Sequence, residues 1–72
     1  MQAKFGLSIR AFRHKLGITQ EELAWRADMH RTYIADIERG ARNITLRSAA
    51  HLAGALQLTV EALLAHSQLP SG

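Results

Sequence analysis

The sequence predicts an all-α fold of five short helices that share one small core. Apolar residues recur at helical spacing, beginning with Phe5, Ile9 and Phe12, and no stretch alternates apolar and polar residues as a half-buried strand does. The only proline is Pro70, so none interrupts a helix before the end of the chain. With 72 residues the chain has room for a single, marginally stable domain, for which partner subunits often supply further burial.

The first helix is predicted over residues 3–16, and its charged residues are all basic. Its apolar side is expected to continue to Leu16, and Gly17 is typical of the position just after a helix. Residues 1–20 contain four Lys and Arg and no acid, whereas five of the six acids lie within residues 21–38. The net charge of +3 favours polyanionic partners, although solvated helix faces explain the same charges about as well.

Residues 19–40 predict two short helices joined by a tight turn. Thr19 is a typical N-cap for the second helix, and Glu22 completes a capping box with it. Asp28 opens the turn, and either Asp28 or His30 caps the third helix. This layout is that of a helix-turn-helix, whose second helix enters the major groove of DNA.

Two more helices complete the predicted domain. Thr45 caps the fourth helix, over about residues 46–56, and Thr59 caps the fifth. The apolar side of the fourth helix is formed by Ala49, Leu52, Ala53 and Leu56. The domain is therefore predicted to span residues 1–66, followed by a flexible tail over residues 67–72.

The exposed side of the third helix carries the candidate base contacts. Arg31 can donate two hydrogen bonds to guanine, which is worth about 1–3 kcal/mol of discrimination between bases. Thr32 offers a methyl group to thymine and a hydroxyl group to a base or a phosphate. Asp36 can accept a hydrogen bond from a cytosine amino group, or it can orient Arg39 without touching DNA, and the sequence favours the second role.

Four other residues are candidate phosphate contacts. Gln20 can offer its amide at the N-terminus of the second helix, where the helix dipole reinforces an anion contact, or it can simply cap that helix. Tyr33 can send its hydroxyl group to a phosphate or pack as a half-buried ring, and the two alternatives are about even. Arg42 and Asn43 follow the third helix and would lie along the DNA backbone, although Asn43 can instead satisfy loop amides.

An ion pair between the first and third helices is also predicted. Arg13 follows Phe12 on the first helix, and Glu38 follows the apolar Ile37 on the third. Removing one partner of a buried pair can cost about 3–5 kcal/mol. Arg13 and Glu38 are therefore expected to stabilise the fold without contacting DNA.

The sequence lacks the signatures of an enzyme or of a metal site. Its four histidines lie 16, 21 and 15 residues apart, and no Gly-rich phosphate loop, nucleophile elbow or catalytic carboxylate pair occurs. There is no cysteine, which fits a reducing cytosol, and no signal peptide or membrane span. We expect a cytoplasmic protein without catalytic residues, metal, cofactor or membrane contact.

Together these residues resemble the Cro/phage-repressor (XRE-type) helix-turn-helix family. The resemblance extends over about residues 5–64, and its motifs are Ile9-Arg10, Arg13, Gly17, Thr19-Gln20, Leu23-Ala24, Arg31-Thr32-Tyr33-Ile34, Ile37-Glu38-Arg39-Gly40 and Arg42-Asn43. It implies a five-helix, lambda-repressor-like DNA-binding domain. Residues 30–45 are similar to restriction–modification controller proteins, which are small homodimers that regulate their own operon and the endonuclease gene.

The resemblance also implies roles for individual residues. The residues facing bases would be Arg31, Thr32 and Asp36, and those holding phosphates would be Gln20, Tyr33, Arg42 and Asn43. Arg13 and Glu38 match the buried ion pair of the family. The homodimer would form through the fifth helix and the turn before it, with Leu58, Val60, Leu64 and Leu69 as candidates and Leu63 as further apolar surface.

The predicted function is a sequence-specific transcriptional regulator that binds palindromic operator DNA as a homodimer, as the autoregulatory controller of a restriction–modification operon. The alternative is an antitoxin, which binds a protein partner and represses its own operon. Trp25 occupies a position that is usually polar and could serve such a partner. Glu21 is a candidate contact for RNA polymerase, although it also suits the helix dipole.

Overall fold

The computed structural model describes residues 2–68, and within them the chain forms five α-helices and no strand. The helices are α1 (Gln2–Leu16), α2 (Gln20–Ala27), α3 (Arg31–Glu38), α4 (Leu46–Ala55) and α5 (Val60–Gln68). The predicted all-α fold with five helices is confirmed. Helix α5 continues two residues beyond the predicted domain end at residue 66, and residues 69–72 of the predicted tail lie outside the described residues.

Three threonines start helices as the sequence predicted. The hydroxyl oxygen of Thr19 accepts a hydrogen bond from the backbone N–H of Glu22 at 3.0 Å. Thr45 and Thr59 accept equivalent bonds, each at 3.0 Å, from residues three positions further on. The capping box at α2 is only half formed, because the Glu22 carboxylate accepts from Nε of Arg26 at 2.9 Å. At α3 the N-cap is His30, and its side chain makes no capping hydrogen bond.

All five helices contribute to one apolar core. Helix α1 packs against α3 and α5, α2 packs against α3 and α4, and α4 packs against α5. The fully buried large side chains are Ile9, Leu23, Ile34, Ile37, Leu52 and Leu63. The predicted buried side of α4 is confirmed, because Ala49, Leu52, Ala53 and Leu56 are all at most 3% exposed.

The burial of two apolar residues, Leu16 and Leu63, differs from what the sequence predicted. Leu16 is 38% exposed, because Gly17 takes a positive φ of 71° and turns the chain so that Ile18 packs against the core instead. Leu63 was expected to add apolar surface for a partner, but it is fully buried in the core of its own chain.

No helix within residues 2–68 combines the length and apolar character that a membrane crossing requires.

Candidate nucleic-acid interface

A left-handed residue makes the turn between α2 and α3. Asp28 has φ 59° and ψ 48°, a conformation that Asp tolerates better than most residues with a side chain. The backbone N–H of Asp28 donates to the carbonyls of Ala24 and Trp25, and Met29 donates to the carbonyl of Ala24 at 2.8 Å. Ala24 is 3% exposed. The turn therefore ends α2 at once and lets α3 pack directly beside it.

Helix α3 has a buried side and an exposed side with different chemistry. Its buried residues are Ile34, Ile37 and Glu38. At roughly 100° per residue, the opposite side is centred on Thr32 and Arg39. Both of these residues are exposed. Helix α3 thus presents a polar side, with its N-terminal residues uncovered.

Arg31 is the first residue of α3. It is exposed, and its side chain makes no hydrogen bond or ion pair with any residue of the described part of the chain. A guanidinium group without an internal partner keeps all of its donors for a ligand. Arg31 is therefore available for the base contact that the sequence predicts.

The predicted pair of Arg13 and Glu38 lies between α1 and α3. Nε of Arg13 donates to Oε2 of Glu38 at 2.7 Å, and Nη2 donates to Oε1 at 3.1 Å, so the pair is bidentate. The two side chains are 11% and 5% exposed. Nη1 of Arg13 also donates to the carbonyl of Ile18 at 3.0 Å. The pair thus connects α1, the start of the loop before α2, and the C-terminal end of α3.

Gln20 belongs to this buried pair in the structure. Its Nε2 donates to Oε1 of Glu38 at 3.0 Å, and the residue is half-buried. The sequence predicted a phosphate contact or a helix cap for Gln20, and this bond to Glu38 belongs to neither role. The side chain of Gln20 therefore bridges α2 and α3 in the free protein, at the edge of the polar surface.

Asp36 engages two arginines. Its carboxylate accepts hydrogen bonds from Arg39 through Oδ1 and from Nη2 of Arg42 through Oδ2, the latter at 3.2 Å. The hydrogen bond from Arg39, followed by that from Arg42, lowers the pKa of Asp36 below its ordinary value. In the protein without DNA, the carboxylate of Asp36 is thus bound by these two arginines.

Tyr33 is a half-buried ring that holds Arg42 and the start of α4. The guanidinium carbon of Arg42 lies 4.7 Å from the centroid of the ring, which is a cation–π distance. The Tyr33 hydroxyl is 3.2 Å from Oγ of Ser48, which also accepts from Oγ1 of Thr45 at 3.1 Å. Of the two alternatives for Tyr33, the packing ring describes the free protein. Asn43 is exposed in the loop nearby.

A basic cleft lies beside α3 and includes one arginine that the sequence analysis missed. The cleft of about 210 Å³ is lined by Arg10, Arg13, Gln20, Ala35, Glu38 and Arg39. Arg10 is exposed and lies one turn before Arg13 on α1, a spacing that could have identified it. A second cleft of about 560 Å³ reaches Arg31 and Glu21. Within residues 2–68, no three potential metal ligands lie together.

The candidate dimer residues that the structure describes lie in α5 and in the turn before it. Leu58, Val60 and Leu64 are half-buried and pack against the core of their own chain, each with part of its surface exposed. Leu69 lies outside the described residues. Trp25 is 79% exposed on α2 and contributes no burial to the core. The structure therefore leaves apolar surface at the start of α5 and, separately, on α2.

The turn, the polar side of α3 and the basic cleft together define a helix-turn-helix protein. A family model described as helix-turn-helix matches residues 9–63, which is most of the chain. The chain belongs to the XRE-type helix-turn-helix family of DNA-binding transcriptional regulators.

Among the proteins similar to this chain are control proteins and restriction-modification controller proteins. Control protein C.BamHI of Bacillus amyloliquefaciens is 44% identical over 61 residues, covering 83% of this chain and 75% of that protein. The restriction-modification controller protein C.AhdI from Aeromonas hydrophila superposes with a TM-score of 0.83 at 37% identity, covering 86% of this chain and 94% of that one. C.Esp1396I bound to a 19 base pair DNA duplex superposes with a TM-score of 0.84 at 32% identity, covering 92% of this chain and 88% of that one.

Proposed function

We propose that this protein binds a palindromic operator as a homodimer and controls a restriction–modification operon that contains its own gene. The proposal is supported by its similarity to control and controller proteins of such systems, one of them solved with DNA. It acts by binding in the cytoplasm, with no catalytic step of its own. The same similarities do not favour the antitoxin alternative.

The observation that carries the proposal is the N-terminal end of α3, where Arg31 is exposed and makes no hydrogen bond or ion pair within residues 2–68. In a helix-turn-helix complex the N-terminal part of the second helix meets the base edges. Two copies of α3 in a dimer would enter successive major grooves about 34 Å apart. Arg31 and Thr32 would then select the sequence, while Arg42 and Asn43 would hold the backbone.

The homodimer is supported by the exposed apolar surface of Leu58, Val60 and Leu64 and by the small size of the chain. A single core of this size gains stability from a partner subunit. Sedimentation equilibrium at micromolar concentration is expected to give twice the chain mass of 8.0 kDa. We also propose Glu21, exposed in the first turn of α2, as the contact to RNA polymerase in activation.

The proposal is tested first by fluorescence anisotropy with the DNA upstream of the gene and a scrambled duplex, at two salt concentrations. A specific regulator is expected to prefer the upstream DNA by about 10³-fold or more. Equal, salt-sensitive binding to both duplexes would place the operator elsewhere or make the protein non-specific. Absence of binding to either duplex would refute the proposal.

Replacing Arg31 by Ala is expected to weaken operator binding by about 1–3 kcal/mol, because a bidentate contact to guanine is lost. Binding to the scrambled duplex should change little, since it depends mainly on phosphates. Arg31→Lys is the matched control, because it keeps the charge but loses the planar fork. Anisotropy with both duplexes measures the effect, and an equal loss on the two duplexes would argue against a base contact.

Replacing Arg42 by Ala is expected to weaken binding to all duplexes by a similar factor. The slope of log affinity against log salt should flatten by about one unit, because one phosphate contact is lost. Arg26→Ala is the control, since it removes the same charge from an exposed arginine paired with Glu22 on α2. A loss confined to the operator duplex would instead assign Arg42 to base recognition.

A further inference from the structure

Asp36 places a negative charge on the surface that would face DNA. It is the one acidic residue on the polar side of α3, because the other acid of this helix, Glu38, is buried. Its side chain is 19% exposed and lies between Arg39 on α3 and Arg42 in the following loop. In the free protein, both of these arginines are thus bound to a carboxylate of their own chain.

The two ion pairs contribute little to the stability of the fold. Arg39 and Arg42 are 68% and 49% exposed, and ion pairs of exposed side chains are weak in water. They can therefore open at low cost when a stronger acceptor arrives. A carboxylate and a phosphate both bind a guanidinium group through charge-assisted hydrogen bonds, so the two compete for the same donors.

We propose that Asp36 is a specificity-determining residue, which competes with DNA phosphates for Arg39 and Arg42 and so weakens non-specific binding more than operator binding. This inference rests on the proposed function. Non-specific binding consists almost entirely of phosphate contacts. Its affinity is therefore lowered by the whole free energy of the competition and by the repulsion between Asp36 and the phosphates. In the operator complex, the Asp36 carboxylate can accept a hydrogen bond from a cytosine amino group in place of the arginines. This hydrogen bond offsets part of the free energy lost in the competition.

The test uses Asp36→Asn, a scrambled duplex and an operator duplex selected from a random pool by the wild-type protein. Affinity for the scrambled duplex is expected to rise about tenfold, because the two arginines then bind phosphates without displacing a carboxylate. Affinity for the selected duplex should rise about threefold or less, so the specificity ratio falls. Asp36→Ser, which also removes the charge, should behave in the same way.

Two controls isolate the competition. Glu22→Gln removes an equal charge from an exposed carboxylate paired with Arg26, and it should leave both affinities near those of the wild type. In a background of Arg39→Ala and Arg42→Ala, the gain from Asp36→Asn should shrink to about twofold, because only the general charge effect remains.

The outcomes separate this inference from the function on which it rests. Weaker binding of Asp36→Asn to both duplexes would mean that Asp36 orients the arginines toward phosphates, and it would overturn the inference. An unchanged affinity for the scrambled duplex, or an undiminished gain without the arginines, would overturn it as well. If the wild-type protein itself binds no DNA, the proposed function fails first.

Discussion

Replacing Glu38 by Ala is expected to lower the free energy of unfolding by about 3–5 kcal/mol, which is a large part of the 5–15 kcal/mol typical of a whole domain. The carboxylate accepts two hydrogen bonds from Arg13 and one from Gln20. Its removal leaves the guanidinium group of Arg13 buried at 11% exposure with its main acceptor gone. The expected loss of stability is that of leaving a buried charge without its partner.

Thermal and urea unfolding, followed by circular dichroism, would measure this loss. The melting temperature of Glu38→Ala should fall by more than about 12 °C, given a shift of about 4–8 °C per kcal/mol in a domain of this size. The control is the double variant Arg13→Met with Glu38→Leu. Because it removes both charges together, it should recover most of the stability. A single variant that melts within a few degrees of the wild type would contradict a stabilising role for the pair.

The helix starts and the turn could be predicted from sequence because their chemistry is local. Thr19, Thr45 and Thr59 each cap a helix by binding a backbone N–H three residues further on, so the signal lies within one turn of chain. Asp28 makes the left-handed turn for a similar reason, since its short polar side chain tolerates that backbone. The boundaries of α2 and α3 follow from these residues.

The arrangement of the interface could be predicted only in part, because it depends on packing between helices. The pair of Arg13 and Glu38 was expected, yet the bond from Gln20 to Glu38 joins residues 18 positions apart. The stacking of Arg42 on Tyr33 likewise depends on where the loop after α3 runs. Sequence spacing identifies which residues are polar and exposed, but their partners are set by the tertiary structure.

The two glycines inside helices show this limit most clearly. Gly6 in α1 and Gly54 in α4 look alike in sequence, where each predicts a cost to its helix of about 1 kcal/mol relative to Ala. In the structure, a Cβ atom on Gly54 would meet nothing within 4 Å. A Cβ atom on Gly6 would lie 2.2 Å from the carbonyl oxygen of Ile37 and 2.8 Å from that of Glu38. Helix α1 therefore touches the backbone of α3 at Gly6.

Replacing Gly6 by Ala is expected to destabilise the domain by about 3 kcal/mol, because the new methyl group meets backbone atoms that no rotamer change can move aside. Gly54→Ala is the matched control and should stabilise α4 by about 0.5–1 kcal/mol. Urea unfolding of both variants gives the two free energies. Since Gly6 lies against the carbonyl of Glu38, separating α1 from α3 there also strains the ion pair with Arg13. Equal stability changes in the two variants would mean that α1 and α3 are not in backbone contact.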